Sequence, residues 1–404
     1  MTGASDDDPS GIATYSQAGA QFGYGLAWTL ILTYPLMAAI QEISAIIGRV
    51  TGHGIAGNLR RHYPPLTINT IVLLLVAANV VNIGADLGAM AAALGLLIGG
   101  PQWLYVLLFG AGSAALQIFI PYRRYVSILK WLTLSLFAYV ATVFAIPIPW
   151  GELGHAIVHP PLSLNADYLV AVVAVFGTTI SPYLFFWQAD QEVEEEKGDP
   201  RAQPLKKAPG QAPEELRRIR LDTYIGMLLS NGVALFIIIT TAATLHAHGV
   251  TDIQTSAQAA EALRPIAGTF AFAVFALGII GTGLLALPVL AGSAAYALGE
   301  ARRWPVGLAR PPMQAKAFYG AILLAMAVGA AMNVVDIDPV KALFWSAVIN
   351  GLVAVPVIVM MMRMASRRDI MGGFILSPGL RILGWACMAA MALVDTAMVV
   401  TWVI

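Results

Sequence analysis

Apolar runs, each about as long as a bilayer is thick, follow one another along nearly the whole of this 404-residue chain, and no other feature limits its fold so sharply. Within lipid, every backbone N–H and C=O has to be satisfied by the protein itself, which makes each such run a helix. A composition of 58% hydrophobic and 11% charged residues rules out a water-soluble globule. Charge-free stretches of sufficient length number about eleven, beginning with about 8 to 23, 26 to 48, 67 to 98, 103 to 121, 126 to 148 and 168 to 189. The others run from about 222 to 247, 266 to 298, 315 to 335, 340 to 362 and 381 to 403. The expectation is an all-α polytopic membrane protein, with residues 1–404 forming one transmembrane domain.

Two of these runs are interrupted. Asp8-Pro9-Ser10-Gly11 opens the first, and Thr179-Ile180-Ser181-Pro182 cuts the sixth. An unwound stretch inside a membrane leaves carbonyls and amides without helical partners, so it survives only where protein or a water-filled cavity supplies them. Such breaks at corresponding places in two halves point to an ion or solute site near the midplane. About five spans follow from each break, and an odd count inverts the second copy. An inverted repeat is therefore expected, with copies at about 1–148 and 168–362 and an extra helix at about 381–403. Few residues precede Asp8, so the first half-helix is expected to be short or to begin upstream of Met1. Acidic Asp6, Asp7 and Asp8 stand where a cleavable signal peptide would be basic, and none is expected.

Basic residues gather in alternate loops, at Arg60 and Arg61, Arg123 and Arg124, Lys206 to Arg220, Arg302 to Lys316, and Arg363 to Arg381. Those loops are assigned to the cytoplasm of a cell (inner) membrane, with the amino end inside and Ile404 outside. Only Arg264 and Lys341 of the 23 Lys and Arg fall on the opposite side. The sizeable polar insertion at about 191–220 reads as a cytoplasmic loop, its Glu194-Glu195-Glu196 run a solvated face. Zero net charge gives no reason to expect nucleic acid, and the lone Cys387 excludes a disulfide framework or a cysteine-rich metal centre. A monomer in the lipid bilayer is the expected unit.

Several motifs then occur in order. Asp8-Pro9-Ser10-Gly11-Ile12-Ala13-Thr14 precedes Gln17-Ala18-Gly19; Pro35, Gln41-Glu42, Gly48 and Thr51-Gly52 mark the second span; Asn82 and Asp86 mark the third. Together they resemble the Nramp divalent-metal transporters over nearly the whole chain, and are most similar to the Nramp-related magnesium transporter branch. The resemblance implies a LeuT-type fold with broken first and sixth helices. It also implies a transported divalent cation, rather than a resident cofactor, held between the two breaks. The chain departs from the family where Asn and Met ligands are usual, having Gly11 and Ser181 instead. Without the soft thioether the site becomes all-oxygen, which suits Mg²⁺ and also admits Mn²⁺.

The metal set expected on these grounds is Asp8, Gly11, the backbone carbonyl of Thr178, and Ser181. Asp8 also reads as the cap of a helix starting at Pro9, a role compatible with facing a cation. The Ser181 hydroxyl has a second reading, a bond to a carbonyl one turn back. Thr179, Gln188, Asn350 and Tyr183 are candidates for holding water around the ion, with Asn350 the nearest polar substitute for the family's tenth-span Gln. Glu42 and Asp86 are candidates for a gate or relay, because a charge inside a span is costly, and Glu42, beside Gln41, also reads as a structural pairing with another helix. The family's third-span acid aligns with Ala89, and its sixth-span His positions align with Tyr183 and Gln188. None of these three titrates near neutrality. Uncoupled, potential-driven uptake is thus expected, with a proton-coupled Mn²⁺ symporter as the alternative. His246 and His248, and the methionines from Met360 to Met364, read as surface and packing residues respectively.

Other classes fit less well. A sodium-coupled amino-acid transporter shares the fold type, yet Asp8 would repel a substrate carboxylate. An intramembrane enzyme needs a catalytic pair, and Lys130, Lys316 and Lys341 sit only at span ends.

Overall fold

The computed structural model describes residues 8–120, 131–335 and 338–403. Asp6, Asp7, Arg123, Arg124, Lys130 and Asp336 lie outside them. The principal helices are α1 (Pro9–Phe22), α2 (Ala27–Thr51), α3 (Ile55–His62), α4 (Pro65–Ile98), α5 (Gln102–Phe119), α6 (Phe137–Ala145) and α7 (Trp150–Val158). They continue as α8 (Ala166–Thr179), α9 (Pro182–Gly198), α10 (Ala212–Thr244), α11 (Ala271–Arg302), α12 (Lys316–Met332), α13 (Pro339–Ala365) and α14 (Pro378–Val403). No strand occurs among the described residues.

Local chemistry sets the ends. Asp8 accepts the Gly11 amide at the start of α1, Asn165 accepts the Tyr168 amide at the start of α8, and Asp338 accepts those of Val340 and Lys341 at the start of α13. Proline occupies the first position of α1, α4, α9 and α13, where its missing N–H costs nothing.

Among the described residues eight stretches are long and apolar enough to cross a membrane, or nine if the bent pair around 134–158 is one span. The difference from the expected eleven has three sources. The first two expected spans join into Pro9–Thr51, whose 43 residues are about twice what a bilayer needs. Gly23, at φ 56° and ψ −131°, separates α1 from α2 within it. The span expected at about 126–148 falls partly outside the described residues, and Lys316–Met332 is a shorter apolar helix. The polar insertion is also more helical than expected, since α9 persists to Gly198 and α10 begins at Ala212. Its acids are paired as well as solvated: Arg218 meets Glu192 at 2.5 Å and Glu195 at 3.2 Å, and Arg49 meets Glu196 at 3.6 Å.

The centre is built from α1, α4, α8, α9, α11 and α13, with α5 and α14 turning much of their surface outward. Small residues bring backbones together there, as is common between membrane helices. A Cβ added at Gly177 would lie 2.1 Å from the Ala347 carbonyl oxygen, so α8 and α13 touch at this point. We expect Gly177→Ala to destabilise the protein by about 1–3 kcal/mol through overpacking, read as a lower unfolding temperature in detergent. An unchanged temperature would show that α8 and α13 separate freely.

Candidate cation site

The start of α1 and the gap between α8 and α9 meet in the interior. Only Ile180 (ψ 65°) and Ser181 (ψ 132°) separate the two half-helices, and the Ser181-Pro182 step begins the second. The last turn of α8 therefore presents carbonyls beyond the reach of its own helix. Carbonyl ends of half-helices suit cations, as amide ends suit anions.

Asp8 is 1% exposed and gathers four donors. Its Oδ1 accepts Ser10 Oγ at 2.6 Å and the Gly11 amide at 2.8 Å. Its Oδ2 accepts Asn82 Nδ2 at 2.9 Å and the Tyr183 hydroxyl at 3.1 Å. Three helices, α1, α4 and α9, thus converge on one carboxylate. Ser10 Oγ lies 3.2 Å from Thr178 Oγ1 and joins the two breaks directly. Asn350 Nδ2 reaches Asn82 Oδ1 at 3.4 Å, extending the chain of contacts to α13, while its own Oδ1 is buried without a partner.

Ser181 Oγ donates back to the carbonyls of Gly177 at 2.8 Å and Thr178 at 2.9 Å. The helix-satisfying role weighed for this hydroxyl is therefore present, and the oxygen keeps lone pairs for a second task. Thr179 Oγ1 donates to Val175 O at 2.6 Å and meets the Tyr15 hydroxyl at 3.0 Å. A Cβ built on Gly11 would stand 3.5 Å from Thr178 Oγ1 and 3.6 Å from Asp8 Oδ1. A side chain at position 11 would meet the Tyr15 ring first, at 3.2 Å, and would lie between Thr178 and Asp8.

Asp8, Gly11, Thr178, Ser181, Tyr183 and Asn350 are thus brought together, with Thr179 beside them on Tyr15. Gln188 is directed elsewhere and donates to Glu192 at 3.4 Å. Glu42 pairs with Arg220 at 3.2 Å and with the Tyr224 hydroxyl. Asp86 lies one turn after Asn82 on α4, fully buried, with neither carboxylate oxygen hydrogen-bonded. Ser10 and Asn82 were not placed in the site from the sequence. Asn82 was legible there, since an amide inside an apolar span asks for a polar partner. Among the described residues no three His, Cys, Asp or Glu side chains converge as they would around a resident metal. His246 bonds the Ala20 carbonyl at 2.8 Å.

Half-helices meeting at a buried carboxylate, within a bundle of apolar spans, define a membrane transporter of the LeuT-type fold. A solved manganese transporter from Eremococcus coleocola, in a point-mutant form, matches 98% of this chain and 83% of its own with a TM-score of 0.76 at 16% identity. Mhp1, a nucleobase-cation-symport-1 family transporter, matches 98% of this chain and 92% of its own with a TM-score of 0.56 at 15% identity. Among curated relatives, the divalent metal cation transporter MntH of Klebsiella pneumoniae (strain 342) is 26% identical over 393 residues, 95% of this chain and 88% of the relative. MntH of Yersinia enterocolitica is 28% identical over 291 residues, 69% of this chain and 65% of the relative. The family described as natural resistance-associated macrophage protein-like matches residues 1–401, and the chain belongs to that Nramp family. Its members are transporters, not enzymes.

Proposed function

We propose that this protein carries divalent metal cations, Mg²⁺ foremost and Mn²⁺ with it, into the cytoplasm by alternating access. The observation that carries the reading is the Asp8 cluster: one carboxylate beside hydroxyls, amides and half-helix carbonyls, with no sulfur in the set. A hard oxygen site with one carboxylate suits an ion that retains several waters. Asp8 supplies the formal charge, the Gly177 and Thr178 carbonyls supply dipoles, and Gly11 with Ser181 leaves room. Tyr183, Asn82 and Asn350 hold the carboxylate or bound water in place. The named MntH and manganese-transporter relatives support a divalent cargo.

The same reading places the basic loops and the amino end in the cytoplasm of an inner membrane, with two inverted copies at about 1–148 and 168–362. A dication entering a negative interior gains about 4.6 kcal/mol per 100 mV, enough to drive uptake without a second ion. Uptake into proteoliposomes, comparing Mg²⁺, Mn²⁺, Ca²⁺ and alanine, tests the class. Alanine transport without metal transport would overturn it.

One observation favours a second reading, proton-coupled Mn²⁺ symport. Asp86 is a buried acid with both oxygens unpartnered near the site, as a proton carrier would be. On the uncoupled reading, metal entry leaves internal pH unchanged and Asp86→Asn changes Mn²⁺ uptake little. An internal pH dye separates the two. Metal-dependent acidification that vanishes in Asp86→Asn would establish symport.

A further inference from the structure

A second pair of acids lies on the basic-loop side of the Asp8 cluster. Asp190 sits on α9 nine residues beyond Ser181, about 13 Å along the helix. It is 3% exposed, and its Oδ2 is buried with no hydrogen-bond partner. Glu300, near the end of α11, accepts the Gly54 amide at 2.9 Å and the Gly57 amide at 2.7 Å, where α3 begins. Those amides favour a negative charge on it. The two carboxylates converge over Gly54: a Cβ added there would lie 2.0 Å from Asp190 Oδ1 and 2.6 Å from Glu300 Oε2. The bare glycine leaves that space to the acids.

Two carboxylates that close in a buried place repel each other, and a cation between them relieves that repulsion. Of the other charged groups, Glu194, Lys197 and Arg60 face the pair. Between the pair and Ser181 stands an aromatic layer, in which Trp187 on α9 meets Tyr296 on α11 at 6.4 Å between ring centroids. Gly292 admits the indole, since a Cβ there would lie 2.6 Å from it. The layer separates two oxygen-lined places along one helix.

We propose that Asp190 and Glu300, beside Gly54, form a second station for a hard divalent cation, which the cargo occupies after passing Trp187 and before reaching the cytoplasm. The inference rests on the reading of the protein as a divalent-metal carrier. Two carboxylates, rather than the three or more acids or imidazoles of a resident centre, suit an ion that must leave again.

Counting bound Mn²⁺ by the loss of the free-ion EPR signal, on purified full-length protein, tests it. Wild type is expected to bind two ions, Asp190→Asn one, and Asp8→Asn one. Asp190→Ser, a smaller replacement, should repeat the Asp190→Asn result, with unchanged size-exclusion elution showing that the fold persists. One ion in wild type, kept in Asp190→Asn and lost in Asp8→Asn, would overturn the second station and leave the central site standing. Two ions in wild type retained in Asp190→Asn would also overturn it. Binding unaltered by Asp8→Asn would instead overturn the central site.

Discussion

Asp8→Asn is expected to reduce divalent-metal uptake by about 100-fold or more while the protein still folds. Loss even of a residue supporting a metal ligand typically costs 10–100-fold, and Asp8 supplies the charge itself. Asn is the informative replacement because it caps a helix about as well as Asp, so the start of α1 survives. Asp8→Ala removes both functions and adds about 0.5–2 kcal/mol of lost capping. Comparing the two separates the carboxylate's charge from its bond to the Gly11 amide. Wild-type uptake in Asp8→Asn, measured with an indicator in proteoliposomes, would remove the site from this cluster altogether.

Ser181→Met should turn the preference from Mg²⁺ toward Mn²⁺ and Cd²⁺ by about 10-fold or more. A thioether is a soft ligand that favours transition metals over alkaline earths. The substitution also withdraws the hydroxyl from the Gly177 and Thr178 carbonyls, leaving them free for an ion. Competition of Cd²⁺ and Mg²⁺ for Mn²⁺ uptake reads the change. An unaltered Mg²⁺ to Cd²⁺ ratio would eliminate the argument that missing sulfur selects magnesium.

The membrane class and both breaks were legible because apolar length and proline placement act locally. Asp8 was singled out from Asp6 and Asp7, and Tyr183 from its span, only by the family resemblance, whereas Thr178 and Ser181 stood out beside the proline of the second break. Long-range pairings were harder to read. A partner on another helix was expected for Glu42, but its identity, Arg220 across 178 positions, is given only by the fold. Gln188, chosen through an aligned position, turns toward Glu192 because an i,i+4 partner lies on its own helix. Asp190 was hidden beside the acidic run that follows it, and only the fold shows Glu300 and α3 closing over it. The division expected between about 23 and 26 falls at Gly23, where the structure ends α1 before α2.

The four donors around Asp8 have a consequence for ions of lower valence. Hydrogen bonds to a charged group contribute about 1.5–3 kcal/mol each, so any ion that draws the carboxylate away must offset several of them. On the proposed reading, sodium or potassium, with half the charge of a dication, is expected to compete weakly with Mn²⁺ for uptake, and strong competition by either would count against this cluster as the cargo site.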